Sequence, residues 1–324
     1  MSDIQRVAII GCGTIGASWA ALFLAQGPHR HRLRHQPGSR GNPTNPRARC
    51  PPVLARLGLA KKADAKAEDI LFTTDLAEAL KGAQLVQENG PERLDFKRDL
   101  FNNMAKHLSS DAIIATSSSG LTCSSIQEGM DAASKPERCV VGHPFNPPHL
   151  IPLVEVVGGW QTSAATIQRM MDFYTAIGKK AVHVQKEVVG HIANRLQAAI
   201  MREALYLLQE GVCTVEDIDD AVSNGPGLRW GVMGPSTLFH LGGGPGGVQH
   251  MADHLLGPLM SWYAPRDPVV DDGLKKKWVD GTLEMVGDRS FQDLAKQRDE
   301  ELIQLLNVRK EWDEYAEQQQ KQTR

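Results

Sequence analysis

The sequence predicts an α/β domain built on a Rossmann-type doubly wound parallel sheet, followed by an all-helical domain. Three observations carry this. Short β-rich runs alternate with amphipathic helical stretches as far as residue 187. A glycine-rich turn joins the first run to the first helical stretch. From Val188 onward no strand pattern occurs. Strands of four to six apolar residues separated by helices are the mark of a parallel sheet covered on both faces. A length of 324 residues favours two domains, expected here at 1–187 and 188–324.

In chain order, residues 6–10 form the first expected strand, followed by 70–73, 84–87, 112–116, 139–143, 153–157 and 181–185. Residues 94–107 and 164–177 carry helical periodicity, with Met170, Met171 and Phe173 on the core side. The pattern changes near Lys186. Residues 194–210 read as a helix with Gly211 placed to end it. Thr214, with Asp217 three residues on, is a capping pair for the next helix. A charged helix over about 290–318 closes the sequence.

Bulk properties exclude several classes. With 41% hydrophobic and 23% charged residues and a net charge of −2, nothing points to nucleic acid as a partner. No apolar run reaches the roughly 18 residues that cross a bilayer, so no membrane partner is expected. Cys12, Cys50, Cys123, Cys139 and Cys213 are widely spaced, without a CxxC pair or zinc-ligand spacing. Reduced thiols, no metal and a cytoplasmic location follow as expectations. The N-terminus lacks the basic start and cleavage site of a signal peptide.

The first strand runs into Gly11-Cys12-Gly13-Thr14-Ile15-Gly16. Gly11 permits the tight turn, Gly13 lets a pyrophosphate approach the backbone, and Gly16 lets helix and strand pack closely. The free N–H groups and dipole of the helix start, at Thr14 and Ile15, suit the anionic phosphates. Such a turn after a strand and before a helix predicts a dinucleotide cofactor.

An acidic residue is then expected about 20 residues on, at the end of the second strand, to hold the ribose hydroxyls. No Asp or Glu lies between Asp3 and Asp64. Residues 28–50 instead hold six Arg, three His and four Pro, without a strand pattern, so no second strand is expected there. Three readings stand. The arginines favour the 2′-phosphate of NADP; the segment is a disordered basic loop; or it is out of frame. Shifted by one base, the degenerate codons for Pro28 to Gln36 can encode His-Thr-Val-Thr-Ala-Tyr-Asp-Thr-Asn, a strand whose acidic residue falls at the position of Arg34.

Three further segments place polar residues where a parallel sheet presents its ligand edge. They are Ala115-Thr116-Ser117-Ser118-Ser119-Gly120-Leu121, Gly142-His143-Pro144-Phe145-Asn146-Pro147 with Glu155 twelve residues after His143, and Gly190-His191-Ile192-Ala193-Asn194-Arg195. Singly, a histidine after a strand is most often a hydrogen-bonded structural residue. Together with the glycine turn, these segments resemble the L-3-hydroxyacyl-CoA dehydrogenase family over residues 5–27 and 53–250. The resemblance implies that His143 is the catalytic base and Glu155 its carboxylate partner. It implies that Ser119 and Asn194 contact the substrate oxygen, and that Glu92 and Lys97 lie on the nicotinamide side of the cofactor. The chemistry is consistent. Hydride leaves a secondary alcohol only as the hydroxyl proton passes to a base titrating near neutrality, and a carboxylate on the other ring nitrogen fixes the tautomer. His191 receives no role.

The C-terminal half departs from the acyl-CoA branch. Gly225-Pro226-Gly227-Leu228-Arg229-Trp230, Met233-Gly234-Pro235 and Gly242-Gly243-Gly244 resemble the L-carnitine dehydrogenase and lambda-crystallin (L-gulonate 3-dehydrogenase) branch. That implies NAD-dependent oxidation of a small L-3-hydroxy acid. Arg195 and Arg229 are candidates for its carboxylate. Trp230 or Phe239 are candidates for a trimethylammonium group, or are helical core. An L-3-hydroxyacyl-CoA substrate is one alternative, and a crystallin-like protein without activity is another. The resemblance and the apolar surface of the C-terminal helices together imply a two-fold homodimer.

Overall fold

The computed structural model describes residues 4–26, 30–34, 54, 56–58 and 70–322. Eight strands form one sheet: β1 (Arg6–Ile10), β2 (Arg30–Arg34), β3 (Ile70–Thr73), β4 (Leu85–Glu88), β5 (Ile113–Thr116), β6 (Cys139–Pro144), β7 (Leu153–Gly158) and β8 (Lys180–Val184). Their order is β3-β2-β1-β4-β5-β6-β7-β8. The helices described between them are α1 (Thr14–Gln26), α2 (Leu76–Leu80), α3 (Leu94–Ala105), α4 (Cys123–Gln127) and α5 (Ala164–Ala176). Only helices follow β8 among the described residues: α6 (Ala193–Gln209), α7 (Val215–Asn224), α8 (Pro226–Trp230), α9 (Pro235–Gly242), α10 (Gly247–His254), α11 (Leu256–Met260), α12 (Asp272–Val286) and α13 (Phe291–Gln322). The chain forms two compact units, Met1–Arg195 and Leu196–Arg324.

In the first unit both sheet faces are buried. Val7 and Ile9 of β1 pack with Trp19, Phe23, Phe173 and Tyr174. Ala8 and Ile10, pointing the other way, pack with Val86, Phe101, Met104 and Ile114. Period-two alternation sends successive side chains into opposite layers, so a strand covered on both faces must be apolar throughout. Each large apolar side chain buried this way contributes roughly 1.5–3 kcal/mol. Met170 and Phe173 are fully buried, and Met171 is partly buried against the same layer.

Local signals bound the helices where the sequence predicts. Gly211 adopts φ 71°, and Val212 N–H donates to Leu207 O at 3.0 Å, closing α6. Thr214 and Asp217 form the reciprocal capping box of α7.

Two expectations are corrected. A second strand does form: β2 pairs in parallel with β1 and β3, and Arg34 lies opposite Ile10 and Thr73. Residues 35–50 lie outside the described residues. The slot between β1 and β3 overrides a segment of low β-propensity, because the flanking strands leave a row of ladder groups that only an extended backbone satisfies. The sheet is also mixed. β7 runs antiparallel to β6, while every other neighbouring pair is parallel. The reason is length: the connection over residues 145–152 is too short for a parallel crossover, which takes a dozen residues or more.

Candidate active site

The sheet order reverses between β1 and β4, each continuing to an opposite side of the sheet. Beyond the carboxyl ends of strands at such a point lies the ligand crevice of an open α/β sheet. Gly11 follows β1 with φ 91°, and a Cβ there would meet Asn89 O at 2.6 Å. A Cβ on Gly16, in the first turn of α1, would meet Gly11 O at 1.9 Å. Gly13 meets nothing within 4 Å. The two flanking glycines are therefore required by the chain's own backbone, and the middle one leaves open space. This cradle fits a dinucleotide pyrophosphate, with Thr14 exposed and Ile15 half-buried at the helix start.

Polar side chains at the strand ends knit the crevice floor. Trp19 Nε1 and Gln87 Nε2 both donate to Ser117 Oγ, at 3.2 and 2.9 Å. Ser117 Oγ–H donates to Asn89 Oδ1 at 2.7 Å, and Tyr174 O–H to Gln87 Oε1 at 2.6 Å. Gln87 and Asn89 carry no role in the sequence analysis, and Ser117 stands there only within its polar segment. The signal was the polar Gln-Glu-Asn run closing an apolar strand.

The antiparallel pairing of β6 and β7 sets His143 directly opposite Glu155. His143 Nδ1 donates to Glu155 Oε2 at 2.9 Å, and both side chains are buried. Ser119 Oγ, on the segment after β5, lies 3.1 Å from His143 Nε2. With its proton on Nδ1 the ring presents a lone pair at Nε2, the geometry of a base. The second oxygen of Glu155 accepts the Ile192 and Ala193 amides at 2.8 and 3.0 Å. Burial alone would raise the Glu155 pKa, but the hydrogen bonds from His143, Ala193 and Ile192 outweigh it and hold the carboxyl below its ordinary value. The carboxylate therefore remains charged beside the ring it orients.

Asn194, half-buried, follows Ala193 in the first turn of α6, and the exposed Arg195 comes next. Glu92 Oε1 accepts from Ser118 Oγ and from the Ser119, Gly120 and Leu121 amides, at 2.5–3.1 Å. It thus fastens the Ser118–Leu121 loop. Lys97 is buried, with Nζ 2.8 Å from Glu88 Oε2 and 3.7 Å from Glu92 Oε2. Arg229 and Trp230 lie exposed on α8, and Phe239 on α9, in the second unit. The structure thus brings His143, Glu155 and Ser119 into direct contact and sets Asn194 one residue beyond the amides on Glu155.

A nucleotide-binding α/β unit with a histidine–carboxylate pair at its ligand edge defines an NAD-dependent dehydrogenase acting on a CH–OH group. The comparisons agree. Residues 6–188 match the NAD-binding domain of 3-hydroxyacyl-CoA dehydrogenase, and residues 190–279 its C-terminal domain, so the chain belongs to the 3-hydroxyacyl-CoA dehydrogenase family. It is 42% identical to an L-carnitine dehydrogenase of Streptomyces griseus over 308 residues, covering 94% of this chain and 90% of that protein. An L-carnitine dehydrogenase of a Pseudomonas species is 40% identical over 310 residues, covering 95% of each. Among solved structures, 5-formyl-3-hydroxy-2-methylpyridine 4-carboxylic acid 5-dehydrogenase, an NAD-dependent dismutase, superposes with a TM-score of 0.78 at 30% identity, covering 94% of this chain and 97% of that one. Among the described residues, no helix is long and apolar enough to cross a membrane.

Proposed function

We propose that this chain oxidises the 3-hydroxyl of a small, free L-3-hydroxy acid of the carnitine or gulonate type to the 3-keto acid. The observation that carries this is the contact chain Ser119–His143–Glu155 at 3.1 and 2.9 Å. His143 Nε2 takes the hydroxyl proton as the C3–O bond becomes a carbonyl, and Glu155 stabilises the imidazolium that forms. Ser119 and Asn194 hydrogen-bond the substrate oxygen. NAD, when bound, supplies the acceptor for the hydride that leaves C3. Gly11, Gly13, Thr14, Ile15 and Gly16 hold its pyrophosphate, with Glu92 and Lys97 toward the nicotinamide side. Arg195 and Arg229 are the candidates for the substrate carboxylate, and Trp230 for a cationic group.

The preference for a free acid is supported by two relatives whose names carry carnitine or a carboxylic acid rather than a CoA thioester. Assaying NADH formation from L-carnitine, L-gulonate, L-3-hydroxybutyrate and L-3-hydroxybutyryl-CoA tests it. Turnover confined to the thioester would overturn the free-acid assignment, and none on the panel with NAD bound would favour a non-catalytic protein.

The same reading makes the domains 1–187 and 188–324, and the protein a cytoplasmic homodimer joined through the second. Among the described residues Cys123, Cys139 and Cys213 are free thiols, in keeping with a reducing compartment. The dimer is supported by apolar side chains left exposed in the second unit, among them Leu283 at 63% and Phe291 at 79%.

A further inference from the structure

His191 is absent from the catalytic roles above, yet the chain accepts an unfavourable backbone to place it. It adopts φ 51°, the left-handed region that residues other than glycine rarely enter, directly after Gly190 at φ 79°. Its side chain is 2% exposed, and its ring centroid lies 5.0 Å from that of His143. Nε2–H donates to Ser118 O at 3.1 Å. A carbonyl only accepts, so that contact fixes the tautomer and leaves Nδ1 as a bare lone pair. Nδ1 is buried and has no hydrogen-bond partner. A second proton would add a buried N–H without an acceptor, so the ring stays neutral, and burial lowers its pKa in agreement. A neutral ring does not oppose the charge that develops on its neighbour.

The contacts close into a circuit. His143 Nδ1 holds Glu155 Oε2, and Glu155 Oε1 holds the Ile192 and Ala193 amides. Those amides follow His191 directly in the chain. The His191 ring holds Ser118 O, and the next residue, Ser119, returns through its Oγ to His143 Nε2 at 3.1 Å. We propose that His191 is a positioning residue that joins the Glu155 turn to the Ser118–Ser119 segment, so that both nitrogens of the catalytic imidazole keep their partners through one closed set of contacts. The proposal rests on His143 being the base. It explains why an imidazole occupies an enclosed site: an apolar ring would fill the space but leave Ser118 O without its donor.

The test uses His191→Asn, because asparagine tolerates the left-handed backbone but is too short to reach Ser118 O. The variant should still fold cooperatively, with a melting temperature lowered by no more than a few degrees. Its kcat should fall about tenfold, the worth of one hydrogen bond, with the KM for NAD unchanged. His191→Gln, whose Nε2 reaches as far as the histidine's, should regain most of the loss. In a double-mutant cycle with Ser119→Ala the two losses should not add, because both break the same circuit. A folded His191→Asn enzyme with parental kcat, a glutamine variant as slow as asparagine, or fully additive losses would overturn the proposal. His143→Gln separates the two ideas. Parental turnover in that variant removes the base itself, whereas a slow His143→Gln beside a normal His191→Asn removes only the positioning role.

Discussion

The two units treat apolar surface differently. In Met1–Arg195, two side-chain layers close on either face of the sheet, and Trp19, Phe23, Phe101 and Phe173 have no exposure at all. In Leu196–Arg324 one buried cluster among the described residues is Leu208, Val215 and Leu274, while Leu228, Trp262, Leu283, Phe291 and Trp312 are each more than 60% exposed. A sheet wrapped by helices saturates its own apolar faces, whereas a set of helices with apolar stripes on several sides needs a further surface. The first unit therefore holds the Ser119–His143–Glu155 contacts within its own packing. The second leaves much of its apolar surface exposed.

The sharpest way to break this contrast is at the site itself. His143→Gln should lower kcat by about two to four orders of magnitude while NAD affinity stays within a fewfold, read by steady-state kinetics and cofactor titration. Next in size is packing. Phe173→Ala in the first unit should cost about 3–5 kcal/mol of unfolding free energy. Leu283→Ala in the second should cost under about 0.5 kcal/mol if that residue remains exposed, and more if a second copy covers it. Denaturant unfolding at two protein concentrations distinguishes these outcomes. Light scattering at micromolar concentration should give twice the 35.5 kDa chain mass, and a monomer would refute the dimer.

A smaller effect concerns β2. Arg34 ends that strand opposite Ile10, the residue before the glycine turn. Arg34→Asp should strengthen NAD binding and raise its preference over NADP by about tenfold or more, by supplying a ribose acceptor and repelling the 2′-phosphate. The intact mass of the native protein tests the out-of-frame reading of 28–50 directly. Smallest is the acid limb of stability. Glu155 titrates below its ordinary 4.5 in the folded state, so its contribution is present above pH 4.5 and fades as pH falls through the depressed folded value. Glu155→Gln should flatten that part of the stability–pH curve, measured by melting temperature from pH 6 down to about 3.

Much of the fold was legible because its signals are local. The glycine turn, the strand at 6–10 and the capping box at Thr214 each depend on neighbours within a few residues. β2 was not legible, because Arg-His-Arg-Leu-Arg has no strand pattern of its own and is held by partners on both sides. His191 carried no signal either, since its role depends on Ser118, distant in sequence and adjacent only in the fold.

By itself the sequence determined the fold class and the glycine turn, since periodicity and glycine spacing are properties of short segments, and it pointed to His143 and Glu155 only through the family resemblance. Only the tertiary structure decided that β7 turns back along β6. That reversal brings Glu155 across from His143, while Ser119 meets the opposite nitrogen and His191 lies beside them. These outcomes depend on which strands compete for the same ladder groups and the same buried space, and such competition among distant segments is settled only when the whole sheet assembles.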